Sequence, residues 1–219
     1  GSYAVPSERI FVTRNSPDTD SLQVAADKIA MAPPERNPRG ILFVGRLVEE
    51  KRVDLLLKAF KPVSERYPDA RLTIVGSGPQ RPELEKQLSG LQLNSVVRFA
   101  GAIYDPVELG KEFLRNSIFV LPGLGGLSIN EAMFYGLAIV CSRGDGTERH
   151  LVRSDHNGVF FHEGDEKHLA GVLMNLLDDT DRLRQMGERS KEIIRCEVNI
   201  NTVIAEYIRA FQYVVDPLD

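Results

Sequence analysis

The sequence predicts a doubly wound α/β domain built on a mostly parallel sheet. Three observations carry that expectation. From Gly40 onward, short β-branched runs alternate with longer segments of helical period. The strand-sized runs are apolar almost throughout, as strands buried on both faces are. Several of them close on glycine, the turn residue found where ligand loops leave a parallel sheet. Strands alternating with helices imply right-handed crossovers and a sheet covered on both sides.

The elements follow in order. Ile41–Val44 reads as a strand closed by Gly45. A helix over Glu50–Arg66 places Val53, Leu56, Phe60 and Val63 on one face, and Pro68 ends it. Arg71–Val75 is the second strand, closed by Gly76-Ser77-Gly78-Pro79; a helix at about Pro82–Leu91 and a strand at Val96–Ala100 come next. A helix near Pro106–Arg115, a strand at Ser117–Leu121, a helix over Ser128–Tyr135 and strands at Ala138–Cys141 and Gly158–Phe161 continue the alternation. Helices at Asp165–Asp178, Asp181–Arg195 and Asn201–Val214 close the chain. The first 38 residues differ: Arg9–Thr13 suits one strand, while Pro33, Pro34 and Pro38 mark a loop or linker. The expected division is therefore a segment at 1–38, an α/β domain at 39–195 and a C-terminal helix at 196–219.

Composition narrows the function. At 219 residues, 42% hydrophobic and 26% charged, the chain is an ordinary globular one, large enough to bury a core. A net charge of -4 and a pI near 5.7 argue against nucleic acid as the main partner. No apolar run reaches the roughly 18 residues of a membrane span, and the start shows no signal pattern. Gly1-Ser2 has the form of a tag remnant. Two cysteines, Cys141 and Cys196, make neither a disulfide framework nor a metal spacing, so a reduced, cytoplasmic setting is the expectation. His150, His156, His162 and His168 recur every six residues, a spacing that puts no two on one helical face; coincidence is the reading, with no metal site expected.

Chemistry belongs at the carboxyl ends of the strands. Four glycine loops stand there: Gly45-Arg46, Gly76-Ser77-Gly78, Gly101-Ala102 and Gly123-Leu124-Gly125-Gly126. The last runs into Ser128-Ile129-Asn130-Glu131 and a helix, where free amides suit a diphosphate. Two readings of this start compete: Ser128 and Glu131 form a capping box, or Glu131 accepts two ribose hydroxyls. Arg46 and Lys51, at a strand's carboxyl end, either clamp phosphate or form a solvated pair beside Glu49 and Glu50. The G-x-G-x-x-G fingerprint is incomplete, no GxxxxGK[ST] loop or G-x-S-x-G elbow exists, and neither cysteine sits by a base.

Taken together, Val44-Gly45-Arg46-Leu47 with Glu50-Lys51, Ile74–Pro79, Phe99-Ala100-Gly101, Gly126–Val140, Gly146-Thr147-Glu148 and Asn157-Gly158 resemble the GT-B glycosyltransferases of family 4. The match covers about residues 39 to 195, and Arg9–Asp20 resembles the usual entry into that family's second domain. The resemblance implies two Rossmann-like domains, of which this chain is the C-terminal, donor-binding one; a missing N-terminal domain would bind the acceptor. It further implies a retaining transfer without metal or cofactor from a UDP-, GDP- or ADP-linked sugar to a glycan or lipid-linked acceptor. The setting would be cytoplasmic or at the inner membrane face, with peripheral membrane contact through the full-length protein. By the same resemblance Arg46 and Lys51 bind the diphosphate and stabilise the leaving group, assisted by the amides of Leu127 and Ser128. Glu131 holds the ribose, and backbone around Ala102 and Ile103 meets the base. Gly45, Gly76, Gly123, Gly125 and Gly126 line the donor.

Two departures stand out. The family's first glutamate, separated from the second by seven residues, would fall at Gly123. Arg52 stands where relatives often have glycine, adding positive charge near the phosphates. A non-catalytic nucleotide-binding or partner module of the same fold is the alternative that Gly123 keeps open.

Overall fold

The computed structural model describes residues 10–12, 15–142, 146 and 148–215. The sheet begins in its middle. β1 (Gly40–Val44) pairs with β2 (Arg71–Val75), which pairs with β3 (Val97–Gly101). The chain then returns to β1's other side with β4 (Ile118–Leu121) and moves outward through β5 (Ala138–Ser142) and β6 (Gly158–Phe161). All pairs are parallel and the order is β3-β2-β1-β4-β5-β6, so the direction of winding reverses between β1 and β4. In such sheets the crevice at that reversal is where ligands sit.

Because successive strand residues face opposite sides, each central strand feeds two cores. Ile41, Phe43, Ile74, Ile118, Val120 and Val140 point into one, under α2 (Val53–Arg66), α3 (Arg81–Gly90) and α7 (Glu166–Leu177). Leu42, Val75, Phe119, Leu121, Ile139 and Cys141 point into the other, under α4 (Pro106–Arg115), α5 (Ser128–Phe134) and α8 (Thr180–Glu197). Val53, Leu56, Phe60 and Val63 are all buried, as the helical period requires. A short α6 (Glu148–Leu151) and an exposed α9 (Ile200–Val215) complete the described residues, α9 lying within the expected C-terminal helix segment.

Three features depart from the expectations. The helix expected from Glu50 is two pieces: a 3₁₀ turn at Glu49–Lys51, then α2, separated by Arg52 in the left-handed region at φ 51°. The sheet is covered by helices on both faces at its centre, and on the edge strand β3 the exposed Arg98 reaches across to pair with Glu112 of α4. The segment before residue 39 holds α1 (Thr19–Ala30), started by Asp18, whose carboxylate accepts the Ser21 amide at 3.0 Å. Ile29 of α1 is 1% exposed and packs in the second core, and α1 lies along α4. Its apolar stripe is thin and partly alanine, so the prolines after it dominate the sequence pattern. Of the strand expected at Arg9–Thr13, residues 10–12 are irregular, and Arg9 and Thr13 lie outside the described residues.

The burial of Ile29 makes α1 part of this fold. Ile29→Ala should lower unfolding free energy by about 2–5 kcal/mol in a single urea transition. A separate early transition, or none of that loss, would show α1 undocked.

Candidate functional site

The loops beyond β1, β2 and β3 are locked together before any ligand is considered. The Gly45 amide donates to Val75 O at 3.0 Å, Leu47 N to Ser77 O at 2.9 Å, and Gly76 N to Gly101 O at 2.7 Å. Gly76 has φ 142°, and a Cβ there would lie 1.8 Å from Gly45 O. Its glycine is therefore demanded by the neighbouring strand end, whatever else it meets. Beyond β3, Ala102 is exposed and Ile103 is partly buried against the second core.

Across the crevice, the 3₁₀ turn after β1 is bound to the loop after β4. Leu124 N donates to Glu50 O at 2.9 Å. A Cβ on Gly123 would lie 2.0 Å from that same carbonyl oxygen and 2.9 Å from the Lys51 carbonyl carbon, so no side chain fits at position 123 in this backbone. The Lys51 ammonium donates to Leu124 O at 2.7 Å and to Gly125 O. In a trans peptide the carbonyl and the next amide point opposite ways, so these bonds turn the Gly125 and Gly126 amides away from the ammonium. Among the described residues, the amides of Gly125, Gly126, Leu127 and Ser128 have no protein acceptor. Leu124 and Leu127 stand exposed on the rim.

The Lys51 side chain thus reaches across to the loop after β4. Arg46 is exposed just past β1, and its guanidinium makes no hydrogen bond or ion pair among the described residues. Arg52 is turned elsewhere, its Nε 3.2 Å from Asp54 Oδ1. The capping box is not formed either. Leu127 is the N-cap of α5, Ser128 is already helical, and no side-chain cap bond is made. The Glu131 carboxylate is half-buried without a hydrogen-bond partner among the described residues, and burial pushes its pKa up. One turn on, burial first and then the Glu131 charge push the Tyr135 phenol up to about 12, and its buried hydroxyl has no hydrogen-bond partner among the described residues. Tyr135 is the neighbour that the sequence reading misses; the i, i+4 spacing from Glu131 is the signal for it.

Other groups fall outside this crevice. Cys141 is buried and its thiol is pushed up by burial and Glu148, out of nucleophile range. Of Gly146-Thr147-Glu148, Thr147 lies outside the described residues, and Glu148 is buried and accepts the Gly146 amide at 3.4 Å. The histidine spacing misled in one respect. A helical face is the wrong test for His162 and His168, because the turn from β6 into α7 brings them together with Asp165, donor atoms within 4.8 Å of one another.

A doubly wound parallel sheet with cations, amides and a half-buried carboxylate at its switch point has its groups where folds of this class place their ligand sites. The chain belongs to the family of glycosyl transferases group 1, matched over residues 27–193. It is 30% identical to the Arabidopsis thaliana sulfoquinovosyl transferase SQD2 over 158 residues, 69% of this chain and 29% of the relative. In fold it is similar to S. aureus TarM, solved with fondaparinux, α-GlcNAc-glycerol and UDP (TM-score 0.75, 18% identity, 82% of this chain and 37% of TarM). It is also similar to the C-terminal domain of the group 1 protein LpcC from Francisella tularensis (TM-score 0.68, 21% identity), covering 88% of this chain and 98% of that one. The chain spans 20% to 52% of the length of the curated relatives it matches.

The packing at Gly123 yields a contrast. Gly123→Ala must part the turn from the loop and should cost about 1–3 kcal/mol in urea unfolding. Gly126→Ala, whose methyl would meet the end of the Lys51 side chain at 3.4 Å and Ser128 Oγ at 4.0 Å, should cost far less. Equal losses would mean that the turn and loop do not touch in solution.

Proposed function

We propose that this chain is the donor-binding half of a retaining, metal-independent glycosyltransferase, holding a nucleotide diphosphate sugar across the β1–β4 crevice. The observation that carries the reading is the Lys51 ammonium bound to the Leu124 and Gly125 carbonyls, which holds a cation behind the glycine loop while its amides, without a protein acceptor among the described residues, face the other way. A diphosphate there meets amide donors from the Gly125–Ser128 segment and positive charge from Lys51 and Arg46. As the glycosidic bond breaks, negative charge grows on the departing diphosphate, and these fixed groups stabilise it without reorganising. Glu131, without a hydrogen-bond donor among the described residues, is suited to the ribose hydroxyls. Neighbouring strands are about 4.8 Å apart, so from the β4 loop to Ala102 and Ile103 beyond β3 is about 14 Å, room for an extended nucleotide. UDP is the first candidate because TarM, of the same fold, was solved with it; GDP and ADP complete the panel.

The acceptor domain lies upstream in this reading, since relatives are about twice as long or longer. The setting is cytoplasmic, with membrane contact left to the full-length protein. Gly123 favours one alternative, a nucleotide-binding module without transfer activity. The crowding at 123 excludes any acidic side chain there, so the sugar must be held by amides of the Gly123–Gly126 segment or not held at all. Full-length protein that transfers or hydrolyses donor excludes the module.

Calorimetry of UDP, GDP and ADP on this chain should show one binding below millimolar concentration; none binding to folded protein sinks the reading. Lys51→Ala should weaken that diphosphate by about 1.5–3 kcal/mol while leaving the nucleoside unchanged. Equal losses would assign Lys51 to loop structure alone.

Glu131→Gln should weaken nucleotide by about 1–3 kcal/mol yet stabilise the free protein. The folded carboxyl has a raised pKa, so its ionisation opposes folding. As pH rises from the ordinary value of 4.5 through the folded value, wild type should lose stability relative to the variant and keep that deficit at neutral pH. Thermal unfolding from pH 4 to 8 measures it, and parallel curves would place the carboxylate in water.

A further inference from the structure

The β6–α7 turn gathers three metal-ligating side chains away from the donor crevice. β6 ends at buried Phe161. The next amide, of His162, donates to His168 Nδ1 at 3.0 Å. Gly164, at φ 76°, swings the chain round. Asp165 then caps α7, its Oδ1 accepting the His168 amide at 2.8 Å. The two imidazole rings end 4.2 Å apart between centroids, and one donor atom from each of His162, Asp165 and His168 lies within 4.8 Å of the others. All three side chains reach solvent.

We propose that His162, Asp165 and His168 form a binding site for a borderline first-row divalent cation, with Zn²⁺ the best match. Two imidazole nitrogens and one carboxylate oxygen suit Zn²⁺, Co²⁺ or Ni²⁺; Mg²⁺ and Ca²⁺ ask for oxygen throughout. Zinc bonds of about 2.0–2.1 Å in a tetrahedron set donors about 3.3 Å apart. Exposed side chains on a turn can close from 4.8 Å to that spacing by rotamer changes. The His168 amide already bonds Oδ1 of the Asp165 carboxyl. That bond occupies Oδ1 and leaves the second oxygen for the ion. Beside the cluster, His168 borders a cavity of about 270 Å³ shared with Asp155, Asn175 and Arg182, which leaves room for water on the ion.

Two opposing effects set the affinity. Ligation through either nitrogen of His168 gives up the bond from the His162 amide, because the nitrogen that is not ligating carries the proton. The start of α7 presents its positive end to the cation. Micromolar rather than nanomolar binding is the consequence. The ion would clip the end of β6 to the start of α7, a structural role independent of the donor reading, since β6 stands two strands out from β4.

The test uses the whole chain after chelation and dialysis. Zn²⁺ titration should give one site with micromolar Kd and raise the Tm. Co²⁺ should give the visible absorption of a four- or five-coordinate ion. His162→Asn and Asp165→Asn should each weaken Zn²⁺ at least tenfold; asparagine keeps the cap of α7, so folding is retained. His156→Asn should bind as wild type, and UDP binding by His162→Asn should be unchanged. No binding by 1 mM Zn²⁺ (roughly the edge of useful affinity), or wild-type affinity in His162→Asn, overturns the proposal. Loss of Zn²⁺ binding in His156→Asn moves the site elsewhere and overturns it too.

Discussion

The bond from the Leu124 amide to the Glu50 carbonyl, made possible because position 123 carries no side chain, fixes the geometry of the crevice. It joins the loop after β1 to the loop after β4, the two elements between which the winding reverses. With that contact in place, Lys51 can reach the carbonyls of Leu124 and Gly125, and the peptide planes that follow present their amides to the other side. A side chain at 123 would separate the halves and dissolve the arrangement. The departure from the family pattern at Gly123 is thus built into the packing.

Much of this architecture is legible in the sequence, for a definite reason. Central strands buried on both faces must be apolar throughout, and helices over them must repeat at three and four, so Ile41–Val44 and Val53, Leu56, Phe60, Val63 announce themselves. What escapes depends on backbone detail or on distant contacts. Arg52 takes a left-handed conformation that no propensity assigns to arginine. α1 shows only a thin stripe, and its start rests on one aspartate. Arg98 is exposed because β3 is the edge strand of the sheet, a fact of three-dimensional arrangement.

At the site the same division holds. The glycine loops and the cations could be found by spacing, since the strands that carry them are regular. The capping box is a sound local reading of Ser128 and Glu131, yet Leu127 rather than Ser128 stands at the N-cap, which leaves both side chains unused for capping. Glu131 is instead a half-buried carboxylate beside Tyr135, held where ionisation is unfavourable. Native chains tolerate such costs where a ligand relieves them. The histidines show the converse: His162 and His168 are related by a turn whose geometry depends on Gly164 and the Asp165 cap, not by any helical repeat.

The strand order has a further consequence for assembly. Ile41 meets Leu72 across one helical connection, but meets Ile118 only after the chain has gone out to β3 and come back. Closing that longer loop costs about 0.8 kcal/mol more in chain entropy. The β1–β4 ladder holds two paired positions, against five between β1 and β2. The seam beneath the crevice is therefore the least local and most thinly sewn in the sheet, and a molecule bridging its two lips acts as a stitch across it.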